Sequence, residues 1–230
     1  MLTRRALTSL TSRGRVLHLI RHAQSNWNVK TQGEHVGAHP TIVDVDSRLS
    51  AVGIEQAAHL SLDSILPAPQ LILSSPLSRA LSTAIALSGG SGIEVRAEPL
   101  ATEWCENSCD IGRPSNELRD EYGEAVTKLG YIGTQWWPLT QEEVANGGRE
   151  SEASVDRRTA QLINKLMLLP HTSIALVSHC MILQKVQHSL EKCSKPPTFL
   201  ANAEIRSVLL PDNTPRGVAL KPFQMPNTGI

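Results

Sequence analysis

Charged and nucleophilic side chains follow three short apolar runs of this sequence. Arg21 and His22 come directly after the first run, Arg79 comes shortly after the second, and His179 closes the third. Ligands of parallel sheets bind beyond the carboxyl ends of the strands, so these side chains should lie at one edge. Two arginines attract an anion, and an unprotonated histidine is a nucleophile. The spacing therefore predicts an anion pocket that contains a nucleophile.

The runs that would position these side chains are rich in Val, Ile and Leu, and they alternate with stretches of helical periodicity. This alternation is typical of an α/β fold with three layers, in which helices cover both faces of a mostly parallel central sheet. The predicted strands are residues 16–20, 71–74, 93–97, 174–178 and 205–210.

Four helices are predicted between these strands. The first begins at about Ser50, where apolar residues recur at helical spacing, and its Gly53 would allow close packing. The second has Ser75 as its cap and Pro76 at its first position, which places Arg79 in the first turn. The other two helices are predicted over residues 154–168 and 181–190.

The chain length suits a single α/β domain. Residues 16–230 are predicted to form it, after a basic N-terminal extension over residues 1–15. The regular spacing of apolar residues is absent from about residues 104–148, where Pro, Gly, Asn and three tryptophans occur. We interpret this stretch as an inserted lid.

The overall charge argues against several classes of partner. Lys and Arg number 22, and so do Asp and Glu, so no global field would attract nucleic acid or an anionic membrane surface. No apolar run approaches the roughly 20 residues that span a bilayer. The expected protein is soluble, and its expected partner is a small-molecule phosphate ester.

The composition of the N-terminus permits two interpretations of the cellular compartment. Arginines recur among Ser, Thr and Leu up to Arg15, and no acid appears before Glu34, a composition that resembles a mitochondrial or plastid presequence. The other interpretation is a frayed basic N-terminus on a cytoplasmic protein.

The cysteines do not have the spacing of a metal centre. Cys105 and Cys109 are separated by three residues, whereas zinc sites commonly use paired two-residue spacing, so zinc held with Cys180 and Cys193 is the lesser alternative. We expect reduced thiols, no metal and no cofactor.

Four motifs in order resemble those of the histidine phosphatase superfamily, branch 1, the phosphoglycerate mutase-like proteins. Residues 21–28 (RHAQSNWN) resemble its Arg-His-Gly-Glu-Ser/Thr-x-x-Asn signature, and residues 46–57 (DSRLSAVGIEQA) resemble its Leu-Ser/Thr-x-x-Gly-x-x-Gln-Ala helix. Residues 74–84 (SSPLSRALSTA) are similar to its second-arginine motif, and residues 177–179 (VSH) to its second-histidine motif. The resemblance implies the fold and the phosphoryl-transfer chemistry of that superfamily.

The resemblance also implies a role for each residue of the pocket. His22 would attack phosphorus and form a phosphohistidine, and the positive charge of Arg21 and Arg79 favours the neutral ring that this attack needs. Arg21, Arg79 and His179 would bind the phosphoryl oxygens and stabilise the charge of the transition state.

Three further positions have supporting roles. Glu103 lies where the family has the acid that protonates the leaving group, and Glu106 is the rival for that role. Ser25 and Asn28 either donate hydrogen bonds to the substrate or only cap the local turn.

The lid stretch contains one segment with a resemblance of its own. Residues 106–112 (ENSCDIG) resemble a lid segment in a eukaryotic branch of phosphoglycerate mutase-like proteins, which names no substrate. Trp104, Arg113, Trp136 and Trp137 either face the substrate or, for the tryptophans, pack in the core.

The sequence departs from the family pattern at two places. Glu150 and Ser151 resemble a Gly-Glu-Ser element, but Arg149 replaces its glycine. Cys180 and Met181 stand where the family commonly has glycines, so the pocket floor should be narrower, and Cys180 should be oxidisable if it is exposed.

Three functions remain in competition. A phosphatase that uses His22 is favoured over a mutase, since the Glu-Arg-x-Tyr-Gly segment of cofactor-dependent mutases is replaced after the acid by WCEN. An inactive phosphate-binding scaffold is the third hypothesis, because fold alone does not establish function. Every expected catalytic residue is present, which argues against the scaffold.

Overall fold

A computed structural model describes residues 14–31, 43–127 and 132–211. Its five strands form one sheet in the order β3-β2-β4-β1-β5, in which β5 alone is antiparallel to its neighbour. The strands are β1 (Arg15–Arg21), β2 (Leu71–Ser74), β3 (Val95–Ala97), β4 (Ser173–Ser178) and β5 (Ile205–Leu210). The predicted mostly parallel sheet is confirmed, although β3 begins two residues later than expected.

In the described residues, the helices lie between these strands in sequence. They are α1 (Asn26–Lys30), α2 (Ala51–Ala58), α3 (Ser78–Ser88), α4 (Ser115–Tyr122), α5 (Gln141–Ala145), α6 (Glu152–Leu168) and α7 (Cys180–Glu191). The predicted helix 154–168 begins two residues earlier because Ser151 caps it, its hydroxyl accepting from the Ser154 amide.

Two hydrophobic clusters, one on each face of the sheet, make the fold three-layered. Leu17 and Leu19 of β1 pack in the first cluster with residues of α6 and α7. Ile20 packs in the second with residues of α3 and α4. Alternate strand residues point to opposite faces, so both faces must be covered by helices, as the sequence predicts.

The start of α3 differs from the prediction. Ser75 does not cap the helix, which begins at Ser78 after an N-cap residue, Leu77, that makes no side-chain cap bond. The carboxylate of Asp46 replaces the cap: it accepts from the Ser78 amide at 2.7 Å and also from the Ser78 hydroxyl. An acceptor from a distant segment thus binds the unpaired amide of the first turn, and Arg79 keeps its predicted place there.

The first strand begins at Arg15, one residue before the predicted start. The Arg15 guanidinium donates to four carbonyl oxygens at the end of α6 and just beyond it, including those of Met167 at 2.7 Å and Leu169 at 2.7 Å. A cation favours the C-terminal end of a helix, so Arg15 stabilises the fold. The rest of the predicted extension, up to residue 13, lies outside the described residues.

Gly53 of α2 meets the loop that follows β1, as predicted from its lack of a side chain. A Cβ added at Gly53 would overlap the carbonyl oxygen of Gln24, and Gln24 is held in place because its amide donates to the Gln56 side chain at 2.8 Å. Only glycine permits this approach.

We predict that Gly53→Ala lowers the free energy of unfolding by about 2 kcal/mol, the usual size of an overpacking cost. Thermal unfolding of both proteins measures this change. Helix propensity alone has the opposite sign, because alanine in place of glycine stabilises a helix by about 1 kcal/mol. A raised melting temperature would therefore show that the loop moves away freely.

The predicted lid stretch contains α4, α5 and two short 3-10 turns, at Ser108–Asp110 and Gly123–Ala125. Its residues Cys105, Ile111 and Val144 form a small apolar cluster of their own. Residues 128–131 lie outside the described part. None of the described helices is both long enough and apolar enough to cross a membrane.

Candidate active site

The nucleophile candidate His22 follows β1 and is buried, with 4% of the residue exposed. Its Nδ1 lies 2.7 Å from the carbonyl oxygen of Ala23. A carbonyl only accepts, so Nδ1 carries the proton, and the neutral ring has its lone pair on Nε2. The backbone is fixed as well, since the His22 amide donates to the Ser178 carbonyl at 2.9 Å. This tautomer makes Nε2 the nucleophilic atom.

His179 precedes α7 and lies fully buried beside His22, with the two ring centroids 5.0 Å apart. Its Nε2 is 2.9 Å from Ser75 Oγ, and within the described ranges its buried Nδ1 has no hydrogen-bond partner. Burial, with the positive charge of Arg79, holds the pKa of His179 well below its usual range. The ring is therefore neutral.

Both arginines are buried, Arg21 at the end of β1 and Arg79 in the first turn of α3. Nη1 of Arg21 donates to the Leu200 carbonyl at 3.0 Å, and Nη1 of Arg79 donates to the Cys109 carbonyl at 2.6 Å. Two guanidinium groups that line one cavity concentrate positive charge and hydrogen-bond donors there, and this suits the binding of an anion.

Asp110 lies in the same site, although the sequence did not single it out. Its Oδ1 accepts from Nη2 of Arg79 at 2.9 Å, and its Oδ2 accepts from the Asn107 amide at 3.2 Å. Burial raises the pKa of Asp110, whereas Arg79 acts in the opposite direction. Asp110 thus fixes the guanidinium and balances its charge. The only sequence signal for Asp110 was its position as an acid within the lid segment of residues 106–112.

The acid candidate Glu103 is buried in the same site. Its Oε1 accepts from the Trp104 amide at 2.9 Å, and its Oε2 accepts from the Met181 amide at 3.4 Å. Burial is the main cause that raises the pKa of Glu103, and the negative charge of Asp110 adds to it. A carboxyl that holds its proton to higher pH suits a general acid.

The rival Glu106 is more exposed and is engaged differently. Its carboxylate pairs with the guanidinium of Arg149, which lies half in solvent. The Glu106 carboxylate is committed to this ion pair, whereas that of Glu103 accepts from backbone amides. The geometry therefore favours Glu103.

Glu150 supports the loop that holds Glu103, Ser151 caps α6, and neither residue lines the cavity. The Glu150 carboxylate accepts from Arg158, which also donates to the backbone carbonyls of Thr102 and Glu103. The Arg158 Nη2 to Glu103 carbonyl distance is 2.8 Å. Arg149 stands where the family has a glycine, and the contact between Arg158 and the Glu103 carbonyl forms in its presence.

Ser25 and Asn28 form a capping box for α1, so the capping interpretation holds for both. The Asn28 carboxamide oxygen accepts from the Ser25 amide at 3.0 Å and from Asn202 Nδ2 at 3.2 Å. These bonds use the carboxamide oxygen of Asn28, so its NH₂ group is the part that could donate to a substrate. Both residues also line the cavity described next, so capping and substrate binding are compatible.

A cavity of about 50 Å³ lies between these side chains. Its lining includes six of the seven site residues expected from the sequence, whereas His179 lies outside the lining, against His22. The described lining residues are Arg21, His22, Ser25, Trp27, Asn28, Arg79, Glu103, Trp104, Glu106, Asn107, Cys109, Asp110, Cys180 and Met181. Trp27 was not singled out from the sequence.

Three of the four lid side chains considered as substrate contacts lie elsewhere. Arg113 pairs with Asp46, and Trp136 donates its Nε1 to the Arg113 carbonyl at 2.9 Å. Trp137 packs against the small cluster of the lid stretch. Trp104 lines the cavity, with its Nε1 held by the Glu150 carbonyl.

The four cysteines are free thiols. In residues 14–31, 43–127 and 132–211, no three or more His, Cys, Asp or Glu side chains are grouped as metal ligands. Cys180 is buried, and burial together with the Glu103 charge raises its pKa, so it is a protonated thiol. The exposure on which its predicted oxidation depended is not present.

A comparison with protein families shows which one shares these motifs. The family model described as "Histidine phosphatase superfamily (branch 1)" matches residues 17–220. Among curated protein sequences, none matches this chain.

Solved structures with this fold include a mycobacterial glucosyl-3-phosphoglycerate phosphatase, 24% identical, with a TM-score of 0.54 over 85% of this chain and 90% of that one. An Escherichia coli protein provisionally described as an alpha-ribazole-5'-P phosphatase is 20% identical, with a TM-score of 0.55 over 84% of this chain and 89% of that one. At these identities the likeness extends to the fold alone.

Proposed function

The chain belongs to the histidine phosphatase superfamily, branch 1, and from this premise we propose that it is a phosphatase that hydrolyses a small phosphorylated compound. The observation that carries the proposal is the contact of His22 Nδ1 with the Ala23 carbonyl, which assigns the nucleophilic lone pair to Nε2. His22 lines one cavity with two buried arginines and Glu103.

The first step transfers the phosphoryl group to the enzyme. Nε2 of His22 attacks phosphorus, the bond from phosphorus to the ester oxygen breaks, and Glu103 gives its proton to the departing alkoxide. Arg21 and Arg79 line the cavity and stabilise the charge on the phosphoryl oxygens. His179, whose ring lies beside that of His22, assists them in the role that the sequence predicts.

The second step returns the enzyme to its starting state. The ionised Glu103 takes a proton from water while the water oxygen attacks phosphorus, and the bond to His22 Nε2 breaks. Inorganic phosphate leaves, and Glu103 again holds its proton. In a mutase, a hydroxyl of the substrate would take the place of this water.

The relatives with solved structures support the phosphatase, because the names of the two described above are those of phosphatases. Their named substrates differ, so they do not choose one for this chain. The direct test is a panel of phosphorylated metabolites incubated with the wild-type protein and scored for released phosphate. No release from any member would contradict the proposal and favour the scaffold.

We predict that chelation leaves the activity unchanged, because Arg21 and Arg79 supply the positive charge that metal ions supply in other phosphatases. The measurement compares turnover before and after dialysis against EDTA. Complete inhibition that zinc or magnesium reverses would contradict this expectation and point to the cysteines as ligands.

A further inference from the structure

The mouth of the cavity is built from lining residues that remain partly exposed: Trp104, Glu106, Asn107 and Met181. The lining residues that would hold the phosphoryl group, Arg21, His22 and Arg79, are buried, so the rest of a bound ester extends toward the partly exposed ones. The alcohol portion of a phosphate ester must therefore lie against these four residues.

The positive charges of the lining are already more than matched by Asp110 and a single phosphoryl group. Arg21 and Arg79 are its two cations, and Asp110 is bound directly to one of them. A phosphate dianion together with Asp110 exceeds the charge of both arginines. A second negative group on the substrate would find no unmatched positive charge among the described lining residues.

Glu106 adds a negative charge at the place where the alcohol portion would lie. Its side chain is only 11% exposed, and its carboxylate is already paired with Arg149. A carboxylate or second phosphate on the substrate would approach Glu106, and like charges repel.

We propose that this site selects phosphate monoesters whose alcohol portion is uncharged, such as polyol or sugar phosphates, and discriminates against phosphorylated acids. The proposal rests on the phosphatase function above and adds the substrate class. Glu106 is then a specificity-determining residue, and Arg149 moderates its effect.

The test uses two compounds with the same three-carbon chain, glycerol 3-phosphate and 3-phosphoglycerate, which differ in a hydroxymethyl against a carboxylate group. Binding of each to the full-length His22→Ala protein is measured by calorimetry, so that neither compound is consumed. We expect 3-phosphoglycerate to bind at least about tenfold more weakly. Equal or tighter binding of 3-phosphoglycerate, or no binding of either compound, would overturn the proposal.

Two variants in the same background should shift this preference in opposite directions. Glu106→Gln removes the negative charge and releases Arg149, so the preference for glycerol 3-phosphate should fall about fivefold. Arg149→Gln leaves Glu106 unpaired, so the preference should rise. Shifts of the same sign in both variants would show that Glu106 does not act through its charge.

Binding and turnover separate this proposal from the proposed function. If glycerol 3-phosphate binds selectively but the wild-type protein releases no phosphate from any ester, the selectivity stands and the phosphatase fails. If the wild-type protein hydrolyses both compounds at equal kcat/KM and binding is also equal, the phosphatase stands and the selectivity fails.

Discussion

Replacing His22 with alanine should lower phosphatase turnover by about 10⁴-fold or more while the protein stays folded, because the substitution removes the only atom that forms the covalent intermediate. The ring is a small part of the core, and the strands on either side do not depend on it. Steady-state kinetics on the best ester of the panel measures the loss, and circular dichroism confirms the fold.

A matched control and a trapping experiment make this result specific. His59, an exposed histidine at the end of α2, provides the control, and His59→Ala should keep full activity. Rapid acid-free quenching of the wild-type protein should yield base-stable, acid-labile phosphate on His22. Turnover retained in His22→Ala would remove His22 from the mechanism.

Glu103→Gln should slow hydrolysis of glycerol phosphate by about 10²-fold or more, since protonation of a departing alkoxide matters greatly when its pKa is high. Nitrophenyl phosphate has a leaving group that needs no proton, so its rate of phosphohistidine formation should change far less. The measurement compares kcat/KM for both esters in both proteins.

Glu106→Gln is the matched control for this experiment, because the same substitution three residues away tests the rival acid. Its ratio of rates on the two esters should equal that of the wild-type protein. If the selective loss appears in the Glu106 variant instead, the acid has been assigned to the wrong residue.

The pH profile gives a second readout of Glu103. Burial and the charge of Asp110 hold its pKa above the usual range, so the protonated acid persists to higher pH than in an exposed glutamate. The rate on glycerol phosphate should therefore fall as pH rises through this raised pKa. In Glu103→Gln that falling limb should be absent, because glutamine does not titrate there.

The parts of the site that sequence patterns predicted are those encoded locally. Arg21 and His22 end a strand whose apolar run is visible in the sequence, and Arg79 lies in the first turn of a predicted helix, although that helix begins at Ser78 and not at Pro76. The cavity brings these arginines and His22 together, and the structure places His179 beside them. Strand ends are readable because the edge of a parallel sheet collects whatever follows each strand.

The parts that were missed or wrong depend on contacts between distant segments. Ser75 was assigned as the cap of α3, but Asp46 supplies the acceptor from 32 residues earlier. Asp110 meets Arg79 across 31 residues. Neither periodicity nor capping rules predict such pairs, because these pairs depend on how the loops pack against the folded sheet.

The contact between His22 and Asn202 has a consequence for how the protein reaches its active state. The His22 carbonyl accepts from Asn202 Nδ2 at 3.1 Å across 180 residues of chain. Closing so long a loop costs conformational entropy. A partly folded chain in which the two segments have not met therefore lacks this support for the His22 loop.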